Sequence, residues 1–114
     1  MKYRVELTEN AQREAAAAYD WHAERNARAA AWFSGVVDAI EGLSEMPTRW
    51  GLARESAEFD EPVRQLLYGR SPHVYRVLFI SRSDVVFVVR VRHGARRTLL
   101  RSEVMLPPVG GTGA

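Results

Sequence analysis

Three strand-like segments in the second half of the chain constrain the fold more than any other feature of the sequence. They run from Val63 to Tyr68, from Val74 to Ser81 and from Val85 to His93, and are rich in Val, Leu, Tyr and Phe. The intervening residues, Gly69-Arg70-Ser71-Pro72 and Arg82-Ser83-Asp84, have the chemistry of turns. Because consecutive strands joined by short turns pair antiparallel, the sequence predicts an antiparallel three-stranded meander.

The first half of the chain predicts one further strand and two helices. Residues 2–7 alternate polar and apolar side chains as a strand does, and Thr8 is a candidate N-cap for a helix over 9–25. A second amphipathic helix over 27–45 ends before Pro47. Each helix carries one apolar stripe, so the helical hairpin must bury that stripe against the sheet. The predicted fold class is α+β with the order β-α-α-β-β-β, in which the N-terminal strand and the helical hairpin pack on an antiparallel sheet.

The length of the chain sets the domain organisation. With 114 residues it suits one domain, predicted over 1–106. Two prolines followed by glycine-rich residues predict a flexible C-terminal tail over 107–114. Residues 48–61 are interpreted as a loop, and 97–105 as either a short helix or an extended segment.

Several chemistries are excluded by the residues present. The sequence contains no cysteine, so it forms no disulfide, thiolate metal site or thiol nucleophile. His22, His73 and His93 lack the spacing of a metal site, and there is no glycine-rich phosphate loop. No apolar run approaches the ~20 residues that span a bilayer. We therefore predict a cytoplasmic protein without a metal, a cofactor or contact with a membrane.

The charges are distributed unevenly along the chain. The formal net charge is +2, but nine arginines and only two acidic residues lie from Arg64 onward. Such an asymmetry predicts a polyanionic partner, which is either nucleic acid or an acidic protein. The alternative interpretation is a solvated, arginine-rich surface with no partner.

The second face of the predicted sheet needs a cover. If the more apolar side chains of the last strand face the helices, Val86 and Val88 share the opposite face with Leu78 and Ile80. This patch is too apolar for a surface in water, and a partner protein is the economical cover. The alternative is that the C-terminal segment folds back over it, using the following side chains: Leu99, Leu100, Val104 and Leu106.

Five segments carry a resemblance to a known family. In chain order they are Tyr3 to Ala11, Ala39 to Pro47, Val63 to Gly69, Tyr75 to Phe79 and Val89 to Arg97. They match a strand that leads through threonine into a helix, an "A-I-x-x-L-x-x-x-P" helix end, a first meander strand, a "Y-R-V-L-Y" strand and a basic closing strand. Their order and spacing resemble the RelE/ParE superfamily, the toxins of bacterial type II toxin–antitoxin systems, and within it the ParE-like, plasmid-stabilisation branch.

The resemblance implies a toxin that inhibits growth and is neutralised by a cognate antitoxin, which is usually encoded beside it. The antitoxin commonly binds operator DNA, so the toxin contacts DNA only indirectly. ParE-like members inhibit DNA gyrase, whereas RelE-like members cut mRNA on the ribosome. A degenerate member that binds an antitoxin without toxicity is a third possibility. On this interpretation the antitoxin-binding residues are the apolar patch and the arginines beside it: Leu78, Ile80, Val86, Val88, Arg90 and Arg92.

The resemblance also implies catalytic residues, should the protein be an endoribonuclease. They are Arg76, His93, Arg96 and Arg97, since arginines stabilise charge on phosphorus and a histidine transfers protons. Gly94 stands where some cleaving members have tyrosine, which argues against cleavage. In the alternative interpretation Arg76 pairs with Glu58 or Glu61, and His93 packs on the helices at the strand end.

Overall fold

The computed structural model describes residues 2–109, so the last five residues of the predicted tail lie outside the described part. Within that part the strands and helices follow the predicted order. The elements are β1 (Arg4–Leu7), α1 (Glu9–Arg25), α2 (Ala29–Glu41), β2 (Arg64–Tyr68), β3 (Tyr75–Arg82), β4 (Val85–His93) and a short helix α3 (Arg101–Val104).

The sheet has the strand order β1-β4-β3-β2. Strands β2, β3 and β4 form the predicted antiparallel meander. Strand β1 lies beside β4 and runs parallel to it, with Arg4 opposite Val85 and Leu7 opposite Val88. The parallel pairing is possible because the helical hairpin and the meander form a long crossover between these two strands.

Local sequence explains where the helices begin and end. Helix α1 has the predicted bounds, and the side chain of Thr8 accepts a hydrogen bond from the Ala11 N–H as an N-cap does. Helix α2 is shorter than predicted, because it gives way at Gly42 to a 3₁₀ turn over Gly42–Ser44. Glycine has the lowest helix propensity after proline, which accounts for the change at this residue.

The main core lies between the helical hairpin and one face of the sheet. Val77 and Phe79 of β3 point into it, as their alternation predicts, together with Ile40 from α2 and Leu43 beyond it. Both sheet residues are completely buried.

A β-bulge in β4 changes the predicted faces of that strand. Leu78 lies opposite Arg90, but the next residue Phe79 lies opposite Val88, so Val89 is an extra residue in the pairing. As a result Val86 and Val88 face the helices and Val89 faces away from them. The predicted assignment of Val86 and Val88 to the face opposite the helices is therefore wrong.

The second face of the sheet is covered by the chain itself. Leu78, Ile80 and Val89 form a second buried cluster with Leu99 and Val104 from the C-terminal segment. This is the fold-back predicted as the alternative to a partner protein, except that Leu100 remains 64% exposed.

The beginning of the predicted tail is held in place. Arg82 donates hydrogen bonds to the backbone oxygens of Pro107 and Pro108, at 2.8 and 3.4 Å. Over residues 2–109 no helix has the length and apolar character needed to cross a bilayer.

Candidate functional site

An open groove of about 550 Å³ lies between α1 and the C-terminal half of β4. It exists because β1 pairs only with Val85 to Val88, so β4 extends beyond it and α1 crosses the uncovered edge. The groove is lined by side chains from α1, β3, β4 and the adjoining loops: Glu14, Ala17, Ala18, Trp21, His73, Tyr75, Val91, Arg92, His93, Ala95 and Arg96.

Glu14, the acidic residue of the groove, accepts hydrogen bonds on both of its carboxylate oxygens. Glu14 accepts hydrogen bonds from Nε and Nη2 of Arg90, at 2.8 and 2.6 Å, and from the Val91 N–H at 2.8 Å. The hydrogen bond to Glu14 raises the pKa of Arg90. Glu14 thus neutralises Arg90 and blocks the exposed backbone at the edge of β4, which leaves it little capacity for another cation.

Arg92, in contrast to Arg90, has few hydrogen-bond partners and no ion pair within the described residues. It is 8% exposed, its Nε has no hydrogen-bond partner among the described residues, and its Nη2 donates one long hydrogen bond of 3.4 Å to the Arg97 backbone oxygen. Burial, and then the charge of Arg90, lower the pKa of Arg92, and the charge of Glu14 offsets only part of this effect. Within residues 2–109 no carboxylate forms an ion pair with Arg92 or Arg96.

Aromatic side chains form the other wall of the groove. The Trp21 side chain on α1 is 43% exposed, and Arg25 stacks on its ring at 4.3 Å from the centroid. His73 lies 6.0 Å from both Trp21 and His93, measured between ring centroids. No group of three potential metal ligands comes together in the described residues.

His22 is buried behind this wall. Its ring stacks on Trp32 with centroids 4.2 Å apart, and its Nε2 has no hydrogen-bond partner in the described part of the chain. Burial, and then the charges of His73, His93 and Arg25, lower the pKa of His22 from its ordinary value of 6.5.

We expect His22→Phe to make stability less sensitive to acid. The native state resists protonation of His22, whereas the unfolded chain takes up that proton near pH 6.5, so stability falls as the pH drops below this value. Phenylalanine keeps the stacking on Trp32 and removes the proton site. Urea unfolding at pH 7 and pH 5 measures the change, with Ala23→Ser at the neighbouring exposed position of α1 as the control. If wild type and His22→Phe lose the same stability between pH 7 and pH 5, the lowered pKa of His22 is not the cause of the acid sensitivity.

Arg76 lies away from the groove, on the second face of the sheet. It pairs with Glu55, not with Glu58 or Glu61, through hydrogen bonds of 3.2 and 2.5 Å. The side chains of Arg76 and Glu55 are only 5% and 0% exposed. Arg76 Nε also donates to Gln65, so this guanidinium is occupied by structural contacts.

The four candidate catalytic residues are not brought together. His93 and Arg96 line the groove, whereas Arg76 is buried with Glu55 on the other face of the sheet. Arg97 forms a two-point ion pair with Glu103, at 2.8 and 2.7 Å. His93 Nδ1 accepts a hydrogen bond from the Ala95 N–H.

The six candidate antitoxin-binding residues also divide into separate groups. Leu78 and Ile80 are buried under the C-terminal segment, and Val86 and Val88 are buried under the helices. They do not form the single exposed patch that was expected. Arg90 forms an ion pair with Glu14, and of these six residues Arg92 lines the groove between α1 and β4.

Sequence reasoning missed three residues that shape these sites. Trp21 and Ala17 lie in the alanine-rich helix α1 and line the groove. The signal available in the sequence was a large aromatic residue that follows a run of alanines. Glu55 lay in a loop without periodicity, and nothing in its local sequence indicated a buried carboxylate.

Comparison with known proteins agrees with the fold. A family model described as "ParE toxin of type II toxin-antitoxin system, parDE" matches residues 5–98. A solved structure described as "Chromosomal ParDE TA system from P. aeruginosa" is similar at a TM-score of 0.65 and 20% identity, over 81% of this chain and 96% of that chain. A search of curated proteins finds no match. The fold and the family match place the chain among the toxins of type II toxin–antitoxin systems. Within that class it belongs to the ParE toxin family.

Proposed function

We propose that this ParE-family toxin inhibits growth by binding DNA gyrase and that a cognate antitoxin neutralises it in the cytoplasm. The observation that carries the choice of a binding mechanism is the burial of Arg76 against Glu55. A toxin that acts by binding needs surface determinants and no acid–base pair, whereas RNA cleavage needs a cation at the phosphate and groups that transfer protons.

The alternative of an mRNA endoribonuclease has less support. Only His93 and Arg96 of the four candidate catalytic residues share the groove, and Arg76 and Arg97 are each engaged by a carboxylate. Cleavage through Arg76 would require the break-up of a buried ion pair, which is costly.

The target is tested by inducing the protein in bacteria without any antitoxin. Incorporation of labelled thymidine and labelled methionine is followed in parallel. An early fall in DNA synthesis, with translation declining later, supports the gyrase target. An immediate fall in translation contradicts it and favours mRNA cleavage. Normal synthesis of both supports a degenerate member without toxicity.

Substitution of His93 separates binding from catalysis. We expect His93→Asn to retain growth inhibition within about threefold, because asparagine can accept the Ala95 N–H as Nδ1 does and a binding toxin needs no proton transfer. Loss of a general acid or base would instead reduce the activity by ~10²–10⁴-fold. The measurement is colony formation against inducer concentration, normalised to toxin abundance. A reduction of ~100-fold or more with the folded protein present would overturn the binding mechanism.

A further inference from the structure

We propose that the groove beside α1 docks an acidic segment of the antitoxin, and that Arg92 recognises a carboxylate of that segment. The inference rests on the proposed neutralisation by an antitoxin. It adds the place of contact on the toxin and the chemistry of the partner, which is a carboxylate next to an apolar or aromatic side chain.

The first support is a buried charge that forms no ion pair among residues 2–109. The charge of Glu14 favours the cationic form of Arg92, but the Glu14 oxygens are committed to Arg90 and to the backbone of Val91, and Glu14 forms its ion pair with Arg90. A buried guanidinium with an unsatisfied Nε is unfavourable for the free toxin. A carboxylate supplied by a partner would satisfy it.

The second support is the apolar surface next to that charge. Trp21 and Tyr75 line the groove together with Val91, and Ala17 and Ala18 leave space above them. Tryptophan, tyrosine and arginine dominate the energetic centres of protein interfaces. An apolar side chain on these rings, with a carboxylate at Arg92, would occupy both parts of the groove.

The arrangement suits a protein segment better than a nucleic acid. Phosphate backbones are bound by several accessible cations that follow the strand. Here Arg90 and Arg97 are already neutralised by Glu14 and Glu103, and Arg92 is buried. What remains is one deep cation with Arg96 at the rim, which matches a single carboxylate.

The main test places a carboxylate in the groove. Ala17 and Ala16 are neighbouring exposed residues of α1, but only Ala17 lines the groove. We expect Ala17→Glu to weaken binding of the antitoxin about 30-fold or more, because its side chain occupies space and repels the incoming acid. Ala16→Glu carries the same helix propensity and charge and should bind within about threefold of wild type. The probe is the purified product of the reading frame that adjoins the gene, and calorimetry gives Kd.

A second variant distinguishes recognition from structural support. Arg92→Met removes the unsatisfied guanidinium and keeps much of the aliphatic packing. We expect a midpoint of unfolding at least as high as wild type, together with binding weakened at least tenfold. A purely structural Arg92 would give the reverse pattern, with lower stability and unchanged binding.

The outcomes separate this inference from the proposed function. If wild type does not bind the adjoining gene product, neutralisation by that protein fails and the inference fails with it. If wild type binds and both glutamate variants bind equally well, the groove assignment is wrong while neutralisation stands. Binding of a single-stranded RNA is the remaining outcome. If the RNA binds wild type and Ala16→Glu but not Ala17→Glu, while Ala17→Glu still binds the antitoxin, the inference is also overturned.

Discussion

Glu55→Gln is expected to lower the free energy of unfolding by about 3 kcal/mol, because it leaves the buried Arg76 guanidinium without a counter-charge. Glu55 also accepts the Leu99 N–H at 2.9 Å, so its carboxylate joins β3 to the C-terminal segment. Urea unfolding monitored by circular dichroism gives the free energy. Glu55 and Glu58 both lie in a 3₁₀ helix over Arg54–Glu58. Glu58→Gln is the matched control, since Glu58 is exposed, and its effect should stay within about 0.5 kcal/mol.

The acid dependence of stability gives an independent measure of the same ion pair. Burial acts to raise the pKa of Glu55, but the hydrogen bonds from Arg76 and the Leu99 N–H outweigh it and lower the pKa to about 2. The folded pKa is therefore below the unfolded value of 4.5, so the contribution is complete above pH 4.5 and is lost as the pH falls towards 2. Glu55→Gln should flatten this part of the curve. An unchanged slope, or a loss below 1 kcal/mol at pH 7, would show that the pair contributes little.

Sequence reasoning succeeded where the determinants are local. The Thr8 cap and the apolar stripe fix α1, and the turn residues around Gly69 and Ser83 separate the three meander strands. Gly69 and Ser83 both adopt positive φ, at 105° and 53°, as sharp turns between strands require. These signals act within a few residues, so one sequence is enough to recognise them.

The faces of β4 depended on information that the strand itself does not contain. Val85 to Val89 is an uninterrupted apolar run, which carries no alternation that would assign one face to the helices. The bulge at Val89 then shifts the register relative to β3, and only the complete sheet shows it. The antitoxin-binding prediction inherited this uncertainty, because it combined Val86 and Val88 with Leu78.

The candidate groove and the buried pair of Arg76 and Glu55 both depend on contacts between residues distant in sequence. Glu14 meets Arg90 and Val91 across more than 75 positions, and Glu55 meets Leu99 across 44. The excess of arginine in the second half led to the prediction of a polyanionic partner. It did not show which arginines are neutralised within the fold, and that distinction is what makes Arg92 a candidate for binding.

Leu99→Ala should lower the free energy of unfolding by about 2–5 kcal/mol, whereas Leu100→Ala should change it by no more than about 0.5 kcal/mol. Leu99 is 3% exposed and packs with Leu78 and Ile80, while the adjacent Leu100 is 64% exposed. The two variants remove the same atoms from neighbouring residues, so their difference isolates burial on the second face of the sheet.

The same pair of variants tests whether the C-terminal segment replaces a partner as the cover of that face. With the segment docked, wild type and Leu100→Ala should bind no more apolar dye than an ordinary globular protein. Leu99→Ala should bind more, because loosening the segment exposes Leu78 and Ile80. Strong dye binding by wild type would show that the face is open in the free toxin. Under the proposed neutralisation, an antitoxin would then have two surfaces to cover, the second face and the groove at Arg92. Weak dye binding by wild type leaves the groove, where the buried Arg92 Nε has no hydrogen-bond partner among the described residues, as the surface that we propose for the partner.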